Sequence, residues 1–414
     1  MNESLRAAAL AFHEHPRPGK IALAPSKALT DAGDLSLAYS PGVAAPCEEI
    51  ARDPALAYRY TSKGNLVAVV SNGTAVLGLG NIGALASKPV MEGKSVLFKH
   101  FGGVDSIDLE VNETDPMKFV DIVAALEPTF GGINLEDIKA PDCFVIEAEL
   151  KARMQIPVFH DDQHGTAIIV AAAALNGLEL AGKDIAQAKI CCSGAGAAAI
   201  ACMNMLISVG ARRENIFIAD RQGIVTKARQ QSVDPWRGAF AQETELQSLD
   251  DVMINADVYV GLSSAGALKP HALVQMAASP LILALSNPVP EIMPELALAV
   301  RPDALICTGR SDFPNQVNNV LCFPFLFRGA LDCAATEINE EMKLAAVRAI
   351  CALTKETGIS KDYLIPSPFD PRLVGEIAPA VAEAATRSGA ARLPIEDSAV
   401  YKARLTDQVV RLVG

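Results

Sequence analysis

Two acidic pairs, Glu136-Asp137 and Asp161-Asp162, each close an apolar run, Gly131-Gly132-Ile133-Asn134-Leu135 in one case and Ile156-Pro157-Val158-Phe159-His160 in the other. Four carboxylates at the ends of buried strands repel one another and lose their hydration, which is costly unless a cation or hydrogen bonds compensate. A hard divalent ion is the simplest compensation. Oxygen donors favour Mg²⁺ or Mn²⁺, because no Cys-x-x-Cys spacing nearby offers soft ligands. Taken alone, such pairs are as often solvated loop ends, so the reading rests on what surrounds them.

A glycine-rich fingerprint follows about thirty residues later. Gly78-Leu79-Gly80-Asn81-Ile82-Gly83 matches G-x-G-x-x-G literally, whereas Gly194-Ala195-Gly196-Ala197-Ala198-Ala199 matches only the variant ending in alanine. A dinucleotide site needs a strand before the glycines, a helix opening at the second one and an acidic residue closing the next strand. The second motif has all three: Lys189 to Ser193 reads as the strand, Ala197 to Val209 as the helix, and Asp220 closes the strand Asn215 to Ala219. A pyrophosphate would sit on the N–H groups of that helix start, at Gly194 through Ala198. Asp220 pulls the cofactor choice toward NAD, and Arg221 beside it toward NADP, since a guanidinium pairs with a 2′-phosphate. The first motif is followed by a helix pattern that Pro89 interrupts. It reads as close backbone packing or as a loop lining a substrate cleft. Metal and nicotinamide together suggest a metal-assisted oxidoreductase.

Those residues need a scaffold. A chain of 414 residues, half of them hydrophobic, suggests two or three units of ordinary domain size. From Leu66 onward short β-rich runs alternate with helical patterns, as in parallel sheets with crossover helices. Leu66 to Val70, Asn215 to Ala219, Val258 to Val260 and Leu281 to Leu285 are continuous rather than alternating, as strands covered on both faces require. Asp115-Pro116 opens a helix whose face carries Phe119, Val120, Val123 and Leu126. The apolar stretch Ala167 to Leu175 reads as a buried helix stopped by Asn176-Gly177. After Asn319 the pattern is mainly helical, with amphipathic stretches at Thr336 to Leu353 and Tyr401 to Val413. The expected class is α/β: residues 1–162 form a substrate- and metal-binding domain, and residues 163–414 a Rossmann-type doubly wound parallel-sheet domain. Its helical segment from about 320 packs back on the first.

A net charge of −12 argues against a nucleic-acid surface, so an anionic substrate must find a local positive spot. Nine scattered cysteines, several inside apolar runs, read as reduced core residues rather than a disulfide framework. The N-terminus lacks the basic start and apolar block of a signal peptide and no run is long enough to span a bilayer, so a cytoplasmic protein without membrane partners is expected.

Seven motifs in order carry a family resemblance: Ser36-Leu37-Ala38-Tyr39-Ser40-Pro41-Gly42-Val43-Ala44, Met91-Glu92-Gly93-Lys94, Gly132-Ile133-Asn134-Leu135-Glu136-Asp137-Ile138, Phe159-His160-Asp161-Asp162-Gln163-His164-Gly165-Thr166-Ala167, Ser193-Gly194-Ala195-Gly196, Leu285-Ser286-Asn287-Pro288 and Asn315-Gln316-Val317-Asn318-Asn319. Across nearly its whole length the chain resembles bacterial malic enzymes of the NADP-dependent type, the kind that forms the N-terminal part of hybrid proteins. The resemblance implies oxidation of L-malate at C2, loss of CO₂ and protonation of enolpyruvate to pyruvate. It implies Lys94 as the general base, with a pKa lowered by burial near a cation, and Tyr39 as the general acid. It implies Glu136, Asp137 and Asp162 as metal ligands, with Asp161 orienting Lys94 or the metal shell. Asn287 and Asn319 would hold substrate or the nicotinamide side of the cofactor, and His164 belongs to a helix start. NADP, with NAD as the alternative, Mg²⁺ or Mn²⁺, and a homodimer or higher homo-oligomer complete the expectation.

The chain departs from the pattern at one place. Many malic enzymes carry an arginine just before the first glycine motif, where it clamps a malate carboxylate; here the stretch is Gly73-Thr74-Ala75-Val76-Leu77, leaving Ser71, Asn72, Thr74 or a lysine for that task. Hybrid relatives continue into a phosphotransacetylase-like domain that binds acetyl-CoA, a partner for a longer form. Two other readings compete: a metal-independent hydroxy-acid or amino-acid dehydrogenase, and a nucleotide-sensing domain that kept the fold without the chemistry.

Overall fold

The computed structural model describes residues 3–76 and 78–413, with side chains through 407. Continuous apolar runs form strands covered on both faces, as expected of parallel sheets. The first sheet is parallel, in the order β2-β1-β3-β4, from β1 (Leu66–Ser71), β2 (Asp105–Glu110), β3 (Gly132–Leu135) and β4 (Val158–His160). The second has the order β10-β9-β8-β5-β6-β7, from β5 (Ile190–Ser193), β6 (Ile216–Asp220), β7 (Gly223–Ile224), β8 (Val258–Gly261), β9 (Leu281–Ala284) and β10 (Leu305–Thr308). Only β7 is antiparallel. The chain moves outward from β5 to β6 and then returns to the other side of β5 at β8, so the topological switch lies between β5 and β8, where a doubly wound sheet binds its ligand. The architecture is α/β with a Rossmann-like second sheet and a helical C-terminal region.

Between the sheets runs the helix Asp161–Leu180, buried almost throughout. It begins at Asp161, ahead of the apolar stretch Ala167 to Leu175, and continues through Asn176-Gly177 instead of stopping there. Burial explains the second difference. The Asn176 amide donates to Leu364 O at 2.8 Å, and Gly177 lies directly against the Leu281 side chain. A tightly packed neighbour thus overrides the local stop signal.

The helix Ala84–Gly102 likewise runs through Pro89, where an interruption was expected. An interior proline costs roughly 3 kcal/mol. The same helix buries Met91 and Phe98 completely, each worth about 1.5–3 kcal/mol, and Leu85, whose carbonyl loses its donor, is exposed. Packing wins. Phe98 makes edge contacts with Phe323 and Phe327 at 4.7 and 5.3 Å between ring centroids, which ties this helix to Phe323–Asp332 from the C-terminal helical region. The helix Pro116–Ala124 is capped by Asp115 and buries Phe119, Val120 and Val123. The later helices span Glu340–Thr357, Leu373–Arg387 and Ser398–Val413. All nine cysteines are free, and only Cys47 is exposed. Among the described residues no helix is long and apolar enough to cross a membrane.

Candidate active site

Lys94 lies in the second half of the Ala84–Gly102 helix, on the face turned to the core. Its Nζ is 2.5 Å from Asp161 Oδ2 and 2.9 Å from Glu136 Oε1, and it sits 4.2 Å from the centre of the Phe323 ring. Burial pushes the ammonium down, but Asp161 and Glu136 outweigh it and hold Lys94 above the usual lysine range. The two carboxylates, rather than burial, therefore set the charge of Lys94 in the protein alone. Asp161 pairs directly with Lys94. Asn319 fixes Asp161 in turn, donating to its Oδ2 at 2.9 Å and to its backbone oxygen at 3.2 Å, and accepts from Thr166 Oγ1 at 3.1 Å.

Glu136 extends β3 by one ladder bond to Val70 O and accepts from Asn134 Nδ2 at 2.9 Å. Asp137 follows with φ 54°, a left-handed conformation that aspartate tolerates better than most residues. Its backbone N–H donates to Asp162 Oδ2 at 2.7 Å. Asp161 and Asp162 occupy the first helical turn, where the helix dipole favours negative charge by about 0.3–1 kcal/mol. The Gly165 position explains why this helix start carries a glycine: a Cβ there would lie 1.9 Å from Asp161 Oδ1.

One oxygen each from Glu136, Asp137 and Asp162 lie within 4.8 Å of one another, the group among the described residues that could hold a metal ion. Burial pushes the Glu136 carboxyl up; Lys94 opposes this and the three neighbouring aspartates add to it. A buried, all-oxygen set with excess negative charge fits a hard divalent cation.

Lys94, Glu136 and Asp162 line a cavity of about 840 Å³ together with Asn287 and Asn319. Ala198 of the glycine motif and Leu262, which follows β8, reach the same cavity, so two of the three acids, Glu136 and Asp162, share one space with the start of the helix after that motif. Sequence reasoning missed two cations on its wall, Arg17 and Lys20. The segment bearing them is docked by Glu92, which accepts from the Lys20 backbone N–H at 2.9 Å, while Lys20 Nζ donates to Pro89 O. The signal was Met91-Glu92-Gly93-Lys94, in which Glu92 is the holding residue. The first glycine motif does not line this cavity. Gly78 packs instead against Asn287 O, which favours the packing alternative.

At the second glycine motif the expected strand, turn, helix and strand appear as β5, Gly194-Ala195-Gly196, the helix Ala197–Ser208 and β6. Gly194 has φ 114°, and a Cβ there would lie 2.3 Å from Leu262 O, so only glycine fits. Asp220 ends β6 but is held by Arg229, whose Nη2 lies 2.9 and 2.7 Å from its two oxygens. Arg221 is exposed next to it. Arg229 went unnoticed in the sequence because it lies nine positions beyond Asp220.

Tyr39 is the one catalytic candidate that stands apart. It caps the helix Ala32–Ala38, is 70% exposed and does not line the cavity. His164 lies in the helix start as expected, with its Nε2 2.8 Å from Glu147 Oε1.

Comparison with known proteins agrees with this geometry. Residues 18–151 match the family model of the malic enzyme N-terminal domain, and residues 163–387 that of the malic enzyme NAD binding domain. The chain is 62% identical over 417 residues to an NAD-dependent malic enzyme of Rhizobium meliloti, covering 97% of this chain and 54% of that protein. It is 59% identical to an NADP-dependent malic enzyme of Haemophilus influenzae, covering 99% and 56%. The chain thus spans about half the length of these two relatives. A crystal structure of malic enzyme from Pyrococcus horikoshii superposes with a TM-score of 0.92 at 44% identity, covering 99% of this chain and 96% of the other.

Proposed function

The chain belongs to the malic enzyme family, and from that membership we propose that it oxidises L-malate to pyruvate and CO₂ with reduction of NADP⁺, NAD⁺ being the alternative acceptor. The observation that carries the reading is the buried Lys94, clamped between Asp161 and Glu136 at the edge of a cavity that the glycine motif also reaches. A dehydrogenase without a metal would not need the three converging carboxylates, and a silent sensing domain would have no use for a desolvated lysine.

In its neutral form Lys94 takes the C2 hydroxyl proton as hydride passes from C2 to the nicotinamide, and Asp161, itself held by Asn319, sets the direction of the amine. Mg²⁺ or Mn²⁺ held by Glu136, Asp137 and Asp162 would supply Lewis-acid polarisation of the C2 oxygen and hold the enolate charge after decarboxylation. Neutralising Glu136 in that way also removes one of the two charges that keep Lys94 protonated. Gly194, Ala195, Gly196, Ala197 and Ala198 hold the pyrophosphate, and Arg221 serves the 2′-phosphate. Pairing of Asp220 with Arg229 supports NADP, because it cancels the charge that would repel that phosphate. Asn287 faces the substrate and nicotinamide side. Lys20 and Arg17 supply the positive charge that the missing arginine leaves open for the C4 carboxylate.

Residues 1–162 and 163–414 are read as the substrate-metal and the nucleotide domains, meeting at the acidic helix start. Tyr39 protonates C3 of the enol. Its exposure, and the exposed Leu29, Leu35, Leu37 and Val43 around it, favour a homodimer in which Tyr39 serves the partner's site. A cytoplasmic location fits the absence of a spanning helix among the described residues.

Replacement of Lys94 by alanine tests the base. Loss of about 10²–10⁴-fold in malate oxidation with unchanged NADPH binding by fluorescence is expected, and wild-type turnover would remove the assignment.

A further inference from the structure

Behind the acidic trio lies a chain of buried polar groups that the mechanism does not use. Glu147, on the helix Asp142–Arg153, is buried, and both of its oxygens are engaged. Oε1 lies 2.8 Å from His164 Nε2 and 2.7 Å from Lys151 Nζ; Oε2 accepts from Gln163 Nε2 at 3.0 Å. Gln163 Nε2 also lies 2.8 Å from His160 Nδ1. His160 is fully buried, and its other nitrogen, Nε2, lies 3.0 Å from Asp162 Oδ2.

The protons on this chain follow from one fixed point. A carboxylate only accepts, so the side of the Gln163 amide facing Glu147 must be the NH₂ group. Its second N–H then points at His160 Nδ1, which must be the bare, accepting nitrogen. The imidazole proton therefore sits on Nε2, which lies 3.0 Å from Asp162 Oδ2 in electrostatic contact without hydrogen-bond alignment. Asp162 Oδ2 thus accepts from the Asp137 N–H at 2.7 Å and has the His160 ring nitrogen as its second neighbour at 3.0 Å. Were the amide reversed, a lone pair would confront Glu147 and the imidazole would present a lone pair to Asp162.

We propose that Glu147 is a positioning residue for the metal centre, which through Gln163 and His160 fixes the orientation of the ligand Asp162; this rests on the reading of Glu136, Asp137 and Asp162 as metal ligands. It gives the His160-Asp161-Asp162-Gln163 stretch a division of labour, with Asp161 serving Lys94 and the flanking His160 and Gln163 serving Asp162. Burial pushes the Glu147 carboxyl up, but the facing His164 and Lys151 outweigh it and lower the group, while burial pushes His164 itself down; the contacts with His164, Lys151 and Gln163 suit Glu147 as the acceptor of the cluster.

The test is Mn²⁺ binding to the whole chain, by calorimetry without substrate, in wild type, Glu147→Ala and Glu147→Gln, with NADPH affinity and thermal midpoint measured alongside. Outer-shell partners of metal ligands contribute about 10- to 100-fold in affinity. Glu147→Ala should lose that much Mn²⁺ affinity while NADPH affinity holds, and Glu147→Gln, which keeps a carbonyl oxygen for Gln163, should recover most of it. Unchanged Mn²⁺ affinity in Glu147→Ala would overturn the proposal while leaving the metal centre intact. Wild type that binds no Mn²⁺ would instead remove the metal centre, and this inference with it. Should Glu147→Ala fail to fold, long-range ¹⁵N–¹H correlation on the Mg²⁺-loaded wild type decides: a proton on His160 Nε2 is expected, and one on Nδ1 overturns the proposal.

Discussion

Lys94 and Asp161 sit 67 residues apart in sequence and 2.5 Å apart in space, and each is held by residues whose own identity is forced by crowding. Gly165 is the clearest case. The Asp161 carboxylate folds back over the first turn of its own helix, so the position four residues on has room only for hydrogen. Gly165→Ala is therefore expected to displace Asp161 from Lys94, cost about 1–3 kcal/mol of stability from overpacking and lower malate turnover at least tenfold. Thermal unfolding together with the initial rate checks this, and a variant of wild-type stability and rate would show that Asp161 does not need its observed conformation. The acidic pairs, Lys94 and the glycine motif could be read from the sequence because each lies in a compact local pattern. Glu147, Arg229, Arg17 and Lys20 could not, since their partners come from other elements and no spacing announces them.

At the scale of elements, continuous apolar strands were legible and charged ones were not. β1, β5, β6, β8 and β9 are runs of mostly apolar, mostly buried residues. β2, Asp105–Glu110, has alternating carboxylates and was missed, because its sheet position depends on Lys88 of the neighbouring helix, which pairs with both Asp108 and Glu110. Burial and the adjacent Asp108 push the Glu110 carboxyl up from 4.5 to about 7, with Lys88 opposing. A carboxyl raised in the folded state stabilises fully below its unfolded pKa and loses that contribution as pH climbs through the folded one. Folding stability should accordingly decline from this source between about 4.5 and about 7, and Glu110→Gln should flatten the decline in denaturant titrations across that range. An unchanged pH profile in the variant would mean that Glu110 titrates normally. Helix ends were misread for the opposite reason: Asn176-Gly177 and Pro89 are true local stop signals, overruled by what packs on them.

For the whole molecule, the unresolved relation is between Tyr39 and the cavity. One chain supplies Lys94, Glu136, Asp162 and Ala198 to a common space, but leaves Tyr39 exposed beside an apolar segment. If Tyr39 serves a second copy, two inactive variants should rescue each other. Tyr39→Phe and Lys94→Ala, mixed under conditions of subunit exchange, should regain about a quarter of wild-type activity, since half of the dimers are mixed and each carries one intact site. No recovery despite exchange seen by light scattering and mass tagging would place Tyr39 and Lys94 in the same subunit.

The central claim is that the carboxylate trio, Lys94 and the glycine motif together perform a metal-dependent oxidative decarboxylation. It is tested most directly by following absorbance at 340 nm with L-malate and NADP⁺ or NAD⁺, with Mn²⁺, Mg²⁺ or EDTA, while pyruvate is assayed in the same samples. The expected result is cofactor reduction that EDTA abolishes, with one pyruvate formed per reduced nicotinamide and NADP⁺ preferred. Reduction that survives EDTA or yields no pyruvate would contradict it.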